Sequence, residues 1–483
     1  MVDYNSRLFD FSAPIKFSKR QETLETPNQP YRSDFMRDRD RVLYSASFRR
    51  LSGKTQIYLA GRNDNQRNRL THTLEVSQIA RTVSYALGLN CDLTEAIALG
   101  HDLGHSPFGH AGEEVLHEIM VPDSAITING SPMAHDSGLL SDALLRKAPL
   151  YGFKHNVQSV RVAVSIESNY GSYGLNLTNY TLWGILHHSS TAYKKGRVNT
   201  KDLVPDYQNQ YNKFYELLNH PSKEAWSFEA FVVAESDEIA QWHHDLEDAL
   251  RGNAMSGTDV CKAISKNLGG IMSPNDMSML QNLKKRQLVD RKYITDISRI
   301  VVNTLVNRLI ECSFVNLNYL WEKYAMTPDS KDDFFLQHSW DEPDIKEAIS
   351  LSLLDETDTK ISSLKKQYPS IISEKIHHSR EVERMNAKGK YIIKKLFQAY
   401  FSHPQQLPDS IIIQYMVDVG QYKNAQFATQ VGMGAVRTKF EKFYSNRNAY
   451  NLKRKISLMR RICDHIAGMT DHYAIEEYNN LYG

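Results

Sequence analysis

The run HDLGHSPFGHAGE, from His101 to Glu113, places three histidines, two carboxylates and three glycines in thirteen residues. Imidazoles beside carboxylates either hold a divalent cation or pass protons. The His-Asp dipeptide is weak evidence alone, because it also occurs at His135-Asp136 and His244-Asp245. Context separates the three. His101-Asp102 lies between Gly100 and Gly104 on a predicted helix, where a second backbone or a ligand can come close. His135-Asp136 falls in a predicted loop and reads as structural. Adjacent residues on a helix point about 100° apart, so His101 and Asp102 can both reach an ion lying between them. A cation needs further donors.

His72 is the first such donor. It shares a helical stripe with Val76, Ile79 and Val83 and therefore faces inward. A core histidine is the plain alternative, but a short turn joins this helix to that of His101 and sets the two side by side. Asp237 is the second donor. It opens a face shared with Gln241 and Asp245 at a spacing of four. An exposed acidic face is the plain reading here; Ile239, Ala240, Trp242 and Leu246 argue for burial, where a carboxylate needs a partner. Two imidazoles and two carboxylates without thiolate suit Mn, Fe, Mg or Zn. Four ligands leave positions open for water and substrate, as catalytic sites do. His110 and Glu113 follow at i, i+3 on the next helix. A carboxylate there is expected to raise the imidazole pKa and fix its tautomer, making a general acid. Gly104, Gly109 and Gly112 let the turn fold closely onto the metal helix.

The elements that position these groups are mostly helical. Residues 69–87 form one helix, with Gly88 as its stop. Asp92 and Glu95 resemble a capping box opening a second. Pro107 and Gly109 break the chain before a third, HAGEEVLHEIM. Further helices are expected near 156–168, 178–188, 227–250, 286–324, 390–402, 410–419 and 452–480. A short strand is expected near 52–59. Residues 121–138 read as a loop, and 325–345 and 355–388 as exposed helices and connections. No internal repeat is apparent. The segment 437–461 is basic. A solvated face is the plain reading and an anion-binding surface the sharper one.

At 483 residues the chain is expected to form two or more packed regions or one elaborated domain. Hydrophobic residues at 41% and charged residues at 24% are ordinary for a globular protein. A net charge of +2 gives no global pull toward nucleic acid or membrane. Cys91, Cys261, Cys312 and Cys463 show no CxxC spacing, which argues against disulfides and a thiolate zinc site. There is no signal-like start and no long apolar run, so the expectation is a cytoplasmic protein with no membrane partner.

The segments RDRDRVLYSASFRRLSGKTQ, RLTHTLEV, HDLGHSPFGHAGE, LTNYTLWGIL, SDEIAQWHHDLED and DHIAGMTDHYA occur in this order. In them the chain resembles the HD-domain deoxynucleoside triphosphate triphosphohydrolases, the dGTPase family, over nearly its whole length. The resemblance implies an all-α HD-domain bundle with additional helical regions and at most a short β-hairpin. It implies an N-terminal extension (1–35), a catalytic core (36–255), a helical region (256–400) and a C-terminal region (401–483) that completes the site and the oligomer contacts. It implies attack of water on the α-phosphorus of a dNTP, dGTP preferred, releasing deoxynucleoside and triphosphate. His72, His101, Asp102 and Asp237 would bind Mn²⁺ or Mg²⁺, with Fe or Zn as other candidates. His110 and Glu113 match the family's catalytic pair. Gln56 matches a reader of the sugar 3′-hydroxyl, and Asp245 a second sugar contact. Arg50 and Arg69 match phosphate-facing segments. Departures fall at Gln241, where tyrosine is common, at His155 in FKHNVQ, where glycine is common, and at His187, where lysine reaches phosphate. Asn156 and Gln158 of that motif remain. The resemblance further implies a homo-oligomer, with hexamers known in the family, and the basic segment makes single-stranded DNA a candidate effector. The other readings are an HD enzyme acting on a different nucleotide phosphoester, or a nucleotide- or DNA-binding regulator without turnover.

Overall fold

The computed structural model describes residues 9–23, 29, 31–56, 67–120, 127–128, 131–132, 152–168, 170, 174–189, 192–193, 196–197, 225–252, 255–286, 288–354, 380–445 and 452–483. Helices dominate. Helix α1 (Asp34–Leu43) and the short α2 (Ala46–Arg50) lead to the hairpin of α3 (Arg69–Leu87) and α4 (Cys91–Gly100). Asn68 caps α3 in a reciprocal box with Thr71, and Gly88 ends it at φ +67°. Asn90, not Asp92, caps α4, taking the amides of Asp92 and Leu93; Glu95 is instead paired with Arg81. Asn90 is the residue that precedes the helix and Asp92 lies already within its first turn, so the expected Asp92–Glu95 box is not formed. Ser84 and Thr94 hydroxyls join the two helices at 2.7 Å.

After α5 (Gly109–Ile119) come α6 (His155–Arg161), which continues as a π turn over Val162–Ile166, and α7 (Asn179–His187). The 24-residue α8 (Phe228–Arg251) packs across α3, α4 and α7. Two antiparallel pairs of two residues each, β1 (Thr127–Ile128) with β2 (Ser131–Pro132) and β3 (Ala192–Tyr193) with β4 (Gly196–Arg197), are the strands among the described residues. The expected strand near 52–59 reduces to a single bridge, Thr55 to Asn68; positions 57–59 lie outside the described residues, as do His135 and Asp136 and residues 355–379.

The remaining helices form a second tier. Helices α9 (Gly257–Leu268) and α10 (Pro274–Lys284) precede α11 (Arg291–Lys323), then α12 (Lys331–Gln337) and α13 (Pro343–Lys346). By length and composition α11 could cross a membrane, but 67% of its most apolar window is buried against other helices, so those side chains serve the core. The stretch 325–345 is not simply exposed. Phe334 and Phe335 are buried there, and the N-terminal Phe11 meets Phe228, Trp321 and Phe334 with ring centroids 5.2–5.5 Å apart. Phe9, Phe11 and Ala13 are thus part of the core.

The C-terminal tier is α14 (Arg380–Ser402), α15 (Asp409–Asp418), α16 (Ala425–Val431), α17 (Met433–Ser445), α18 (Leu452–Ala467) and α19 (Asp471–Tyr482). The expected single helix over 452–480 is two, because Thr470 caps a new one with its hydroxyl on the Tyr473 amide. Much of the basic segment is consumed internally. Arg437 pairs with Asp409, Arg461 with Asp418, Arg454 lies over Phe443, and Lys455 is buried.

Asp464 of α18 ties this tier to the core. It accepts from Arg161 at both oxygens, 2.7 and 2.5 Å, and from Gln158 at 3.0 Å, all buried. Removing one member of a buried pair leaves the other charge uncompensated. Asp464→Ala is therefore expected to cost about 3–5 kcal/mol in urea unfolding; a loss under about 1 kcal/mol, the scale of an exposed pair, would show that this contact does not hold the tiers together.

Candidate active site

His72 projects from α3, and His101 and Asp102 sit in the turn that leaves α4, His101 still in helical geometry at φ −58° and ψ −40°. Asp237 comes from α8. The structure brings these four together. His72 Nε2 is 2.9 Å from Asp237 Oδ1; His101 Nε2 is 3.9 Å from the same oxygen and 3.5 Å from Asp102 Oδ1. Donor atoms of His72, His101 and Asp237 lie within 4.8 Å of one another. The His101 Nδ1–H donates to the Ala98 carbonyl at 2.6 Å, which leaves Nε2 as a lone pair, and that buried atom has no hydrogen-bond partner. A lone pair aimed into a pocket of carboxylates is what a divalent cation requires, so these residues fit a metal.

Burial alone would push both carboxyls up. For Asp102 it is outweighed by His101, Arg69, His105 and His72, which hold it well below the ordinary value. For Asp237 it is outweighed by His72 and His101, again downward. Arg69, from the first turn of α3, donates to Asp102 Oδ2 at 2.6 Å and is itself buried.

The turn after His101 is tightly built. A Cβ on Gly104 would overlap the backbone of Gln158 and Ser159, and one on Gly112 would overlap the Pro107 carbonyl. Phe108 stands at φ +62°, an unfavourable conformation for a side chain. It is held by Asp471 of α19, which accepts the Phe108 amide at 2.8 Å and the Thr55 hydroxyl. Buried Lys54 donates to the carbonyls of His105 and Ala467. Burial first, then Arg50 and Arg69, pushes its pKa down to about 7.

His110 and Glu113 share the turn but not a hydrogen bond. Glu113 Oε2 takes the Nδ1 of His155 at 2.6 Å and Oε1 takes Lys154 at 3.0 Å. His110 stands in a concave part of the site, reachable by solvent yet surrounded by protein. That desolvation, with Arg69 and His155 near, lowers its pKa to about 4 despite the pull of Glu113. The expected rise is thus reversed: the carboxylate is spent on His155, and His110 is a neutral imidazole near pH 7.

Two further expectations are corrected. His187 turns away, its ring stacked on Trp183 at 4.2 Å and its Nδ1 on the Trp183 carbonyl. The stack follows from i, i+4 spacing. The next residue, His188, faces the site instead, buried and with Nε2 unpartnered. Gly184, one turn before it, marks the face pressed on Ile97 and is the signal that could have found it. Asn156 does not face the site; its amide donates to Leu186 and Ser189 carbonyls, and its oxygen accepts the Val157 amide. His155, at a position where glycine is common in the family, is a site residue, stacked on His105 at 4.1 Å.

Gln56 Oε1, Arg50 Nε and Asp245 Oδ1 are buried without hydrogen-bond partners. Asp245 is raised well above the ordinary value by burial and by Asp248. Arg50 otherwise reaches Ser47 at 2.7 Å and lies 3.8 Å from Glu167. Gln241, half-buried, lies one turn after Asp237.

A helical fold with such a cluster defines an HD phosphohydrolase, and a family model described as HD domain matches residues 69–146. A second, described as phosphohydrolase-associated domain, matches residues 352–423 and 439–480. The chain is 31% identical over 466 residues to a deoxyguanosinetriphosphate triphosphohydrolase-like protein of Leptospira interrogans, spanning 95% of this chain and 92% of that one. It is 31% identical to one of Bartonella henselae and 32% to one of Bartonella quintana, each spanning 99% of this chain and 96% of the relative. The chain belongs to this deoxyguanosinetriphosphate triphosphohydrolase-like family.

Histidines held neutral by burial carry a pH signature. His188 is pushed down to about 3, and His465 of α18 to about 4, each chiefly by burial. Unfolding frees them to take a proton near the ordinary 6.5, so below that pH the unfolded chain binds more protons. Stability of the metal-free chain should therefore fall as pH drops from about 6.5 toward 4, seen in the urea midpoint. His465→Gln should make that fall shallower; an unchanged slope would exclude His465 as a contributor.

Proposed function

We propose that this protein hydrolyses a deoxynucleoside triphosphate at the α-phosphorus, dGTP preferred, releasing deoxynucleoside and inorganic triphosphate. The observation that carries the proposal is the convergence of His72, His101, Asp102 and Asp237 beside Arg69 and His110, in a chain whose relatives bear that name over nearly full length. His72, His101, Asp102 and Asp237 would hold a divalent ion, Mn²⁺ or Mg²⁺ in this reading, which would supply Lewis-acid polarisation of a phosphoryl oxygen. The chain's own groups do the rest. Arg69, paired with Asp102 at 2.6 Å, and Arg50, whose Nε is unpartnered, are the positive groups suited to the phosphates. His110, neutral near pH 7, is suited to take a proton from attacking water rather than supply one. The unpartnered Gln56 and Asp245, whose carboxyl burial and Asp248 push toward the neutral form, are suited to sugar hydroxyls, which would satisfy both buried groups. We place the protein in the cytoplasm as a homo-oligomer. A single-stranded DNA effector is less favoured, since much of the basic 437–461 segment is already paired.

Product analysis tests the reaction. Each dNTP is incubated with the chain and Mn²⁺ or Mg²⁺, and products are separated by ion exchange. Deoxynucleoside plus triphosphate is expected. Diphosphate or monophosphate would assign another HD chemistry, and no turnover would leave a binding regulator. His110→Ala should keep metal and lose turnover by about 10²–10⁴-fold, the usual contribution of a general acid–base group; an active variant removes His110 from the mechanism.

A further inference from the structure

A second set of ligating atoms lies beside the first. One oxygen of Asp102, one ring nitrogen of His155 and one of His188 are within 4.8 Å of one another, and all three residues are buried. The tautomers are set from outside. His188 Nδ1 donates to the Ile185 carbonyl at 2.8 Å, which leaves Nε2 as a lone pair, and that atom has no hydrogen-bond partner. His155 Nδ1 donates to Glu113, which leaves its Nε2, met only by the Ser189 hydroxyl at 3.4 Å. The inward ring nitrogens of His155 and His188 and an oxygen of Asp102 thus face one another across a short gap. The set is two histidines and one carboxylate, the same as His72, His101 and Asp237. Asp102 stands between the two sets, its Oδ1 3.5 Å from His101 Nε2, and the His101 and His188 rings are 5.0 Å apart.

We propose that Asp102, His155 and His188 hold a second divalent cation next to the first, with Asp102 shared by both. The proposal rests on the reading of His72, His101, Asp102 and Asp237 as a metal centre. The nitrogen-rich set favours Mn, Fe or Zn over Mg, which prefers oxygen. It also gives Glu113 a role. Glu113 is a positioning residue that orients His155, and Lys154 balances its other oxygen. The other histidine cluster differs. In Glu75, His243 and His244, the His244 Nε2 already meets Glu75, and its Nδ1 is 3.3 Å from the Nδ1 of His72. If His72 gives Nε2 to the metal, its Nδ1 proton goes to His244, whose own proton then goes to Glu75; that cluster is satisfied by protons.

Metal counting tests the second site. The full chain is stripped with a chelator, reloaded with Mn²⁺, desalted and measured by plasma mass spectrometry and electron paramagnetic resonance. The expected result is about two ions per chain, as in two-metal hydrolases, with an exchange-coupled spectrum. His188→Ala should hold one ion with an uncoupled Mn²⁺ signal. One uncoupled ion in the unaltered chain overturns the second site and leaves the first standing; no bound ion overturns the metal centre and the proposal with it. Should His188→Ala not fold by circular dichroism, Glu113→Gln decides. It replaces the charged acceptor that orients His155 by a neutral amide and should weaken the second ion by about 10–100-fold, the usual effect of altering such a partner, with the first unchanged. Equal affinity for both ions in Glu113→Gln and the unaltered chain overturns the assignment.

Discussion

Asp102 is a carboxylate buried among imidazoles, and the protein around it is arranged so that it stays charged. Burial would otherwise protonate it and end its use as a ligand. Arg69 supplies the compensating charge at 2.6 Å, from the first turn of the helix that also carries His72. The surrounding histidines turn Nε2 inward, because each has its Nδ1 engaged by an acceptor outside the pocket: His101 by Ala98, His188 by Ile185, His155 by Glu113. Those three hydrogen bonds are as much a part of the site as the ligands.

The turn that carries this chemistry does not hold itself. Phe108 adopts a left-handed backbone, a strain of about 1–3 kcal/mol for such a residue. Its amide is tied to Asp471, and Gly389 of α14 leaves room for its ring. Lys54 joins the His105 carbonyl to the end of α18. Helices more than 250 residues downstream in the chain thus close the geometry that His101–Gly109 needs. This gives a physical reason for a C-terminal match to the phosphohydrolase-associated domain in the same chain as the HD domain.

Much of the site was legible before the fold. Helical spacing placed His72 inward with Val76 and Ile79, and Ile239 and Trp242 pointed to Asp237 on their helix as a carboxylate facing partners, although it is only half-buried. The structure also brings Arg69, Gln56 and Asp245 into unsatisfied or charged buried positions. What failed were choices between neighbours. His187 and His188 differ by one step of about 100° around a helix, and only the packing of Trp183 on one side and Ile97 on the other decides which faces the metal. Glu113 lies within reach of both His110 and His155, and sequence distance favoured the wrong one. Asn156 was a polar residue in a functional motif, yet its amide serves the backbone that carries His188.

By itself the sequence determined the helical class, the family resemblance and the metal-ligating residue types, because periodicity and local motif chemistry are properties of short stretches. Tertiary structure alone decided the protonation of His110, the partner of Glu113 and the inward turn of His155 and His188. Those depend on burial and on acceptors contributed by distant segments, and a pKa or a tautomer is set by what surrounds a group in space rather than by what precedes it in the chain.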